Sequence, residues 1–370
     1  MISNNEKQSL HIVIAAGGTG GHLFPGIAIA EAFQAQDVNN SILFIGTGKP
    51  LEKNILNHTS YEYQTISAEG IKGKGVFNKI RSMVKIPMGI LEAMKIYRIF
   101  RPHIVIGVGG YVTGPAVIAA WLMRIPTALQ EQNSIPGITN RILLKFVKRA
   151  YISFPGTFKE KNSNHILFTG NPVRQIFIDS LSQMNNVPEQ KDQFTVMVAG
   201  GSQGAHGINI KVCEAFKRFH EQCKNVMFIH QTGTSDYEQM ANFYQTHGIQ
   251  VDVRPFIDDM FACYQKADVI ICRAGATTIA EITALGKASI LIPFPFAADN
   301  HQEKNANYLA EHSAAIMIRQ DDLSPENLLN ILVSLKNDKH TISNMQQAAK
   351  QLGKPDAAKE IVKDCYEFIQ

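Results

Sequence analysis

The 370-residue sequence lacks most of the signatures that would settle its chemistry at once. Its five cysteines (Cys213, Cys223, Cys263, Cys272, Cys365) form no Cys-x-x-Cys pair and show no zinc spacing. They read as reduced, structural thiols of a cytosolic chain. No Asp-x-Asp and no His-Glu-x-x-His occurs, so a metal held by protein side chains has no support, and no cofactor is expected. No apolar run approaches the roughly 20 residues that cross a bilayer. The longest surrounds Ala116–Met123, and the polar opening MISNNEKQSL makes the apolar run at His11–Ala16 a buried strand, not a signal peptide. Charge is also sparse. Charged residues make up 18%, and the net charge of +4 favours anionic partners without choosing among phosphate ligands, nucleic acid and acidic lipid.

What is present is material for two cores: 45% hydrophobic residues in a chain longer than one core usually serves. Short β-branched runs alternate with amphipathic stretches: IVIAA at 12, ILFIG at 42, IVIGVG at 104, TALQEQ at 127 and AYISF at 150. The alternation restarts with FTVMVAGG at 194, VMFIHQTG at 226, VDVRPF at 251, ADVIICRAG at 267 and KASILIPFP at 287. Strands apolar on both faces and separated by helical patterns predict parallel sheets covered by helices. The polar stretch SLSQMNNVPEQKDQ (180–193) is the expected linker. Each half opens with strand, glycine-rich turn and helix, so the expected fold class is α/β, with two Rossmann-like domains whose parallel sheets face a cleft.

Chemistry is expected at the strand ends. Gly17-Gly18-Thr19-Gly20-Gly21-His22 precedes a helix predicted to start near Pro25. Its backbone can approach an anion closely. Leu23 breaks the dinucleotide pattern, and Gly46-Thr47-Gly48 stands where a ribose-binding acid would be, which argues against NAD. His22 is either a general base or a helix-capping residue. Gly200-Gly201-Ser202-Gln203-Gly204 repeats the context without the lysine of an ATPase loop, and suits a diphosphate or simply a tight turn. In Arg273-Ala274-Gly275-Ala276-Thr277-Thr278-Ile279-Ala280-Glu281, Thr277 or Thr278 can cap a helix. Glu281 then serves either a ribose diol or a capping box. Asp299-Asn300-His301-Gln302 forms a hydrogen-bonding cluster suited to sugar hydroxyls. Residues 70–101 carry Lys72, Lys74, Lys79, Arg81, Lys85, Lys95, Arg98 and Arg101 against one acid, Glu92. Such a basic, apolar stretch suits an anionic membrane surface, or a helix with an ordinary solvated face. No nucleic-acid module accompanies it. Asp258-Asp259 and Asp321-Asp322 are expected to cap helices.

GGTGGHLFPG, GVGGYVTGP, EQNSIPG, GNPVR, GGSQGA, FIDDM, RAGATTIAE and DNHQEKNA stand together in one order, from about Ile12 to Ala306. In this the chain resembles the MurG family of N-acetylglucosaminyltransferases. The resemblance implies a GT-B fold and an inverting transfer of GlcNAc from UDP-GlcNAc to the 4-hydroxyl of lipid-linked MurNAc, lipid I becoming lipid II in peptidoglycan synthesis. It implies domains at 1–168 (acceptor and membrane) and 169–345 (donor), with a helix at 346–370 returning to the first. Thr19, Gly20, Gly21, Asn133, Arg174, Ser202, Ile257, Ala276, Thr277, Thr278, Ile279, Ala280, Glu281 and Gln302 would contact the donor: Ile257 at uracil, Glu281 at the ribose, Ser202 at the diphosphate. His22 would be the catalytic base, with helix N-termini holding the departing diphosphate. The stretch 70–101, with Trp121 nearby, would meet the cytoplasmic face of the inner membrane, and cell-wall synthesis proteins would be partners. A diacylglycerol glycosyltransferase or a UDP-GlcNAc epimerase shares the donor side, and GVGGYVTGP and EQNSIPG speak against both.

Overall fold

Apolar runs with no polar face form the middle of each sheet, because helices cover both sides and no strand face meets water. The computed structural model describes residues 9–69, 76–158, 164–184, 193–201 and 203–369, and for 76–84, 180 and 182–184 it describes backbone alone. Cα packing divides the chain into two units, Met1–Gln175 with Pro355–Gln370, and Ile176–Lys354.

The first unit alternates β1 (His11–Ala16), α1 (Gly20–Gln36), β2 (Ser41–Gly46), α2 (Pro50–Leu56), β3 (Glu62–Thr65), α3 (Val76–Phe100) and β4 (Ile104–Gly109). It continues with α4 (Thr113–Leu122), β5 (Thr127–Glu131), α5 (Ile138–Leu143), β6 (Arg149–Ile152) and β7 (Ile166–Phe168). The seven strands are parallel in the order β3-β2-β1-β4-β5-β6-β7. The order reverses between β1 and β4, so the strand ends there flank the crevice where such sheets bind ligands.

The second unit follows α6 (Gln175–Met184), which begins at the boundary, with β8 (Phe194–Ala199), α7 (His206–Gln222), β9 (Val226–Gln231), α8 (Tyr237–Thr246) and β10 (Val251–Arg254). Then come α9 (Met260–Lys266), β11 (Val269–Cys272), α10 (Ala276–Ala284), β12 (Ala288–Leu291), α11 (His301–Glu311), β13 (Ala315–Met317), α12 (Pro325–Asn337) and α13 (Lys339–Leu352). This sheet is parallel in the order β10-β9-β8-β11-β12-β13, reversing between β8 and β11. The chain then re-enters the first unit as α14 (Ala357–Ile369), which lays Ala358, Ile361, Val362 and Cys365 into the core that holds Phe33 of α1. Asn40 Nδ2 donates to Tyr366 Oη at 2.8 Å, and Asp364 accepts from Arg149 Nε at 3.0 Å and Tyr151 Oη at 2.8 Å.

Several local expectations are corrected. Helix α1 starts at Gly20, ahead of Pro25, because Thr19 is the extended N-cap residue; Pro25 then sits inside the helix and forgoes the one bond to Gly21. Helix α6 takes up the start of the expected linker, and 185–192 lies outside the described residues. The final helical stretch is two helices, α13 and α14, broken at 353–356. Asp259 does cap α9, accepting from Ala262 N at 2.9 Å. Asp321 and Asp322 instead lie in a short 3-10 turn, and Ser324 caps α12.

Candidate active site

On the first unit the site is built around the turn after β1. Gly18 adopts a left-handed backbone (φ +94°), and α1 then begins without a side-chain cap, so the first-turn N–H groups of Gly20 and Gly21 have no intrahelical acceptor. This is the arrangement that attracts anions. Thr19 and Gly21 are exposed. His22, half-buried in the same turn, places Nδ1 3.0 Å from the carbonyl oxygen of Gly17. A carbonyl only accepts, so Nδ1 carries the proton, and in the neutral imidazole Nε2 bears the lone pair. The imidazole packs on Gly109, where a Cβ would collide with the ring, and Gly110 lies against the Gly17 carbonyl with φ +81°. The glycines of GVGGYVTGP therefore make room for the histidine turn.

Asn133 follows β5, and its N–H donates to Glu131 Oε1 at 3.0 Å. Glu131 is buried; its other oxygen accepts from Gly137 N at 3.0 Å and Asn140 Nδ2 at 2.8 Å. Burial outweighs these bonds and holds its carboxyl above the ordinary value. Arg174 lies over the Phe24 ring, 4.7 Å from the centroid, and so reaches the helix that bears His22.

On the second unit, Ser202 lies outside the described residues. Around it, Gly201 (φ +92°) and Gly204 (φ +75°) turn the chain into α7, which starts at His206 without a side-chain cap. Ile257 is buried beyond β10. Gln231, which the sequence did not single out, joins these two loops. Its Nε2 donates to the Gly201 carbonyl and its Oε1 accepts from Ile257 N, both at 2.9 Å. Below the loop, Asp236 accepts from Asn209 Nδ2 at 2.7 Å and pairs with His206 Nδ1 at 3.0 Å. Asn209 Oδ1 in turn accepts from His230 Nε2 at 3.1 Å, while the Tyr244 hydroxyl donates to His230 Nδ1 at 2.7 Å. Burial pushes His230 down to about 3, so this imidazole is neutral.

Helix α10 begins at Ala276 with Gly275 as N-cap, so neither Thr277 nor Thr278 caps it. Glu281 then stands sixth in the helix, beyond the third position a capping box requires, and that alternative is corrected. Glu281 and Ile279 are buried, while Thr278 and Ala280 are half-buried. The Thr277 hydroxyl is buried without a hydrogen-bond partner among the described residues. Gln302 is on α11, and its Oε1 accepts from Phe294 N at 2.9 Å. Arg273 anchors the same loop, donating to the Pro293 carbonyl at 3.0 Å and to Gln320 Oε1 at 2.6 Å. Among the described residues no group of three or more His, Cys, Asp or Glu could hold a metal ion.

The sequence-predicted residues are thus shared between the units. Thr19, Gly20, Gly21, His22, Asn133 and Arg174 belong to the first; Ile257, Ala276–Glu281 and Gln302 belong to the second. Residues 12–152 match the glycosyltransferase family 28 N-terminal domain, and residues 195–361 match the glycosyltransferase family 28 C-terminal domain. The chain is 45% identical, over 98% of its length and 99% of the relative's, to the UDP-N-acetylglucosamine–N-acetylmuramyl-(pentapeptide) pyrophosphoryl-undecaprenol N-acetylglucosamine transferase of Syntrophus aciditrophicus. The chain belongs to the MurG family. The crystal structure of Acinetobacter baumannii MurG superposes with a TM-score of 0.78 at 30% identity, covering 97% of this chain and 99% of that one. A UDP-GlcNAc 2-epimerase from Neisseria meningitidis, bound to UDP-GlcNAc, has a TM-score of 0.70 at 11% identity, covering 97% and 100%; that likeness concerns the GT-B fold alone.

Proposed function

We propose that this chain transfers N-acetylglucosamine from UDP-GlcNAc to the 4-hydroxyl of MurNAc in undecaprenyl-pyrophosphoryl-MurNAc-pentapeptide, converting lipid I to lipid II with inversion. The observation that carries the reading is the 45% identity, over nearly the full length of both chains, to a relative named as an N-acetylglucosamine transferase acting on N-acetylmuramyl-(pentapeptide) pyrophosphoryl-undecaprenol, a match that spans both the acceptor-side and the donor-side strings. The epimerase likeness extends to the fold and no further.

In this reading the MurNAc hydroxyl attacks the anomeric carbon as UDP departs. Inversion by direct displacement needs one base and one stabilised leaving group. His22 Nε2, the nitrogen left with the lone pair, takes the hydroxyl proton. Thr19, Gly20 and Gly21 offer N–H groups beside it, and Asn133 and Arg174 complete the first unit's share of the donor contacts. On the second unit, Ser202 and the capless start of α7 receive the diphosphate, as preorganised dipoles that need not reorient when charge develops. Ile257 lies at uracil and Glu281 at the ribose diol. Thr277 supplies its buried hydroxyl, Ala276, Thr278, Ile279 and Ala280 supply the turn that carries it, and Gln302 binds a sugar hydroxyl.

The acceptor's lipid requires a membrane surface. No helix among the described residues is long and apolar enough to cross a bilayer. Helix α3 nevertheless exposes Ile86, Met88, Leu91 and Ile99, and α4 exposes Trp121 and Leu122. We assign these, with the basic residues of 70–101, to peripheral docking on the anionic cytoplasmic leaflet. Lys72 and Lys74 lie outside the described residues, and nothing is placed for the side chains of Lys79 and Arg81.

The deciding assay incubates the purified chain with UDP-GlcNAc and a lipid I analogue, following UDP release and disaccharide product. UDP released only with the MurNAc acceptor supports the proposal. Release with diacylglycerol, or production of UDP-N-acetylmannosamine without acceptor, would replace it.

A further inference from the structure

Glu52 occupies a place that the transfer chemistry has not yet used. It sits on α2, fully buried, with six donors around its carboxylate. Oε1 accepts from Gly18 N and Thr47 Oγ1, each at 2.7 Å. Oε2 accepts from Thr47 N at 2.7 Å, Gly48 N at 2.9 Å, Lys49 N at 3.4 Å and Tyr63 Oη at 2.8 Å. Burial alone would raise this carboxyl, but bonds from Thr47, Gly18 and Tyr63 outweigh it and the group titrates below its ordinary value. Two glycines make the space. A Cβ at Gly46 would stand 2.7 Å from both Oε2 and Tyr63 Oη, and one at Gly17 would stand 3.0 Å from Oε1.

The bonds to Thr47, Gly48 and Lys49 are what any acid at the third position of a short helix could make as a cap. The bond to Gly18 is different in kind, since it reaches across 34 residues to the histidine turn. Gly18 N–H and the Gly17 carbonyl are two ends of one peptide group. The N–H donates to Glu52, and the carbonyl accepts from His22 Nδ1 at 3.0 Å. A carboxylate pulling on the N–H end enriches the carbonyl oxygen, which strengthens the bond to the imidazole, as chains of hydrogen bonds polarise one another.

We propose that Glu52 is a positioning residue for the transfer reaction, acting on His22 through the single 17–18 peptide group. The inference rests on His22 being the base. In effect it is a carboxylate–histidine pair with one peptide interposed. The link fixes the tautomer that leaves Nε2 basic, and it stabilises the imidazolium formed when the acceptor's proton arrives there. The titratable or charged groups on the surrounding elements include Lys49 and Lys53 at α2, Glu62 and Tyr63 on β3, Tyr111 beyond β4, Glu31 on α1, Arg174 over Phe24, and Tyr366 of α14, which bonds Asn40 beyond the far end of α1. Tyr63 alone among them bonds Glu52 through its side chain.

The test uses the full chain with Glu52→Gln. His22 is titrated by NMR in histidine-labelled protein, and kcat/KM for a lipid I analogue is followed across pH. The lost charge should move the His22 midpoint, and the acidic limb of the rate profile with it, to lower pH by about half a unit to one unit. The plateau should fall roughly 10- to 100-fold, less than for a carboxylate bonded directly to its histidine, while UDP affinity holds. Tyr63→Phe keeps the carboxylate and should not lower the midpoint. If Glu52→Gln does not fold, Glu52→Asp, which withdraws the oxygen from Gly18, should give a smaller shift in the same direction. An unmoved His22 midpoint in either folded variant overturns the proposal. The NMR midpoint does not depend on turnover, whereas wild-type turnover by His22→Ala would remove the base assignment itself, so the two failures are told apart.

Discussion

The side-chain carbonyl of Gln231 accepts the backbone N–H of Ile257 at 2.9 Å, while the same amide holds the Gly201 carbonyl. One buried residue at the end of β9 therefore sets the spacing between the loop assigned to the diphosphate and the residue assigned to uracil. Gln231→Leu would leave the buried Ile257 N–H unpaired, at about 1–3 kcal/mol, and release the exposed Gly201 loop from its tie. We expect a lower melting temperature and at least a tenfold rise in donor KM. A variant with wild-type donor KM would show that the two loops hold their places without it.

His22 and Glu281 should separate along different kinetic axes. His22→Ala is expected to reduce kcat by roughly 10²–10⁴-fold with UDP affinity nearly intact, the range for a lost general base. Glu281→Ala should weaken UDP binding, by calorimetry, with a smaller effect on kcat at saturating donor. Equal losses in both parameters from either substitution would argue against the division of roles.

His230 makes stability depend on pH. Its folded-state value of about 3 lies below the ordinary 6.5, so the folded form resists protonation. The contribution is complete above about pH 6.5 and is lost progressively as pH falls from there toward 3. Urea midpoints measured at pH 7.5 and pH 5 should therefore differ more for the wild type than for His230→Asn. Equal differences would place the pH dependence elsewhere.

Membrane docking should follow the exposed apolar face of α3. Leu91 is 61% exposed and Ile99 85% exposed. Inserting side chains of this size contributes about 1.5–3 kcal/mol each. Leu91→Glu with Ile99→Glu should reduce co-sedimentation with vesicles containing anionic lipid, and Lys79→Glu, Arg81→Glu and Lys85→Glu should do so in a salt-dependent way. Unchanged sedimentation in both sets would return this face to ordinary surface.

Much of this architecture is legible in the sequence because the central strands announce themselves. Ile12–Ala16, Ile104–Gly109 and Val269–Cys272 are apolar without alternation, and a glycine turn follows each within three residues. Three of the four edge strands, β3, β7 and β13, are three or four residues long and carry no such run, so nothing local marks them, whereas the edge strand β10 is announced by Val251 and Val253. The turn at 17–22 is also legible, but the start of its helix is not, since proline is a familiar first-turn residue and here stands deeper. Glu52 and Gln231 illustrate a different limit. Lys-Pro-Leu-Glu-Lys-Asn reads as an ordinary helix start, and the partners that matter, Gly18 and Tyr63, meet it only through the fold.

The return of α14 to the first unit has a consequence for biosynthesis. The face of α1 that buries Phe33 waits for Ile361 and Cys365, which the ribosome adds only after the whole of the second unit. At about 5–20 residues per second, that wait lasts roughly ten seconds or more. Through that interval the nascent first unit carries an uncovered apolar stripe while its neighbour is already free to fold. Ribosome-bound chains halted before α14 should therefore be the species that holdase chaperones bind.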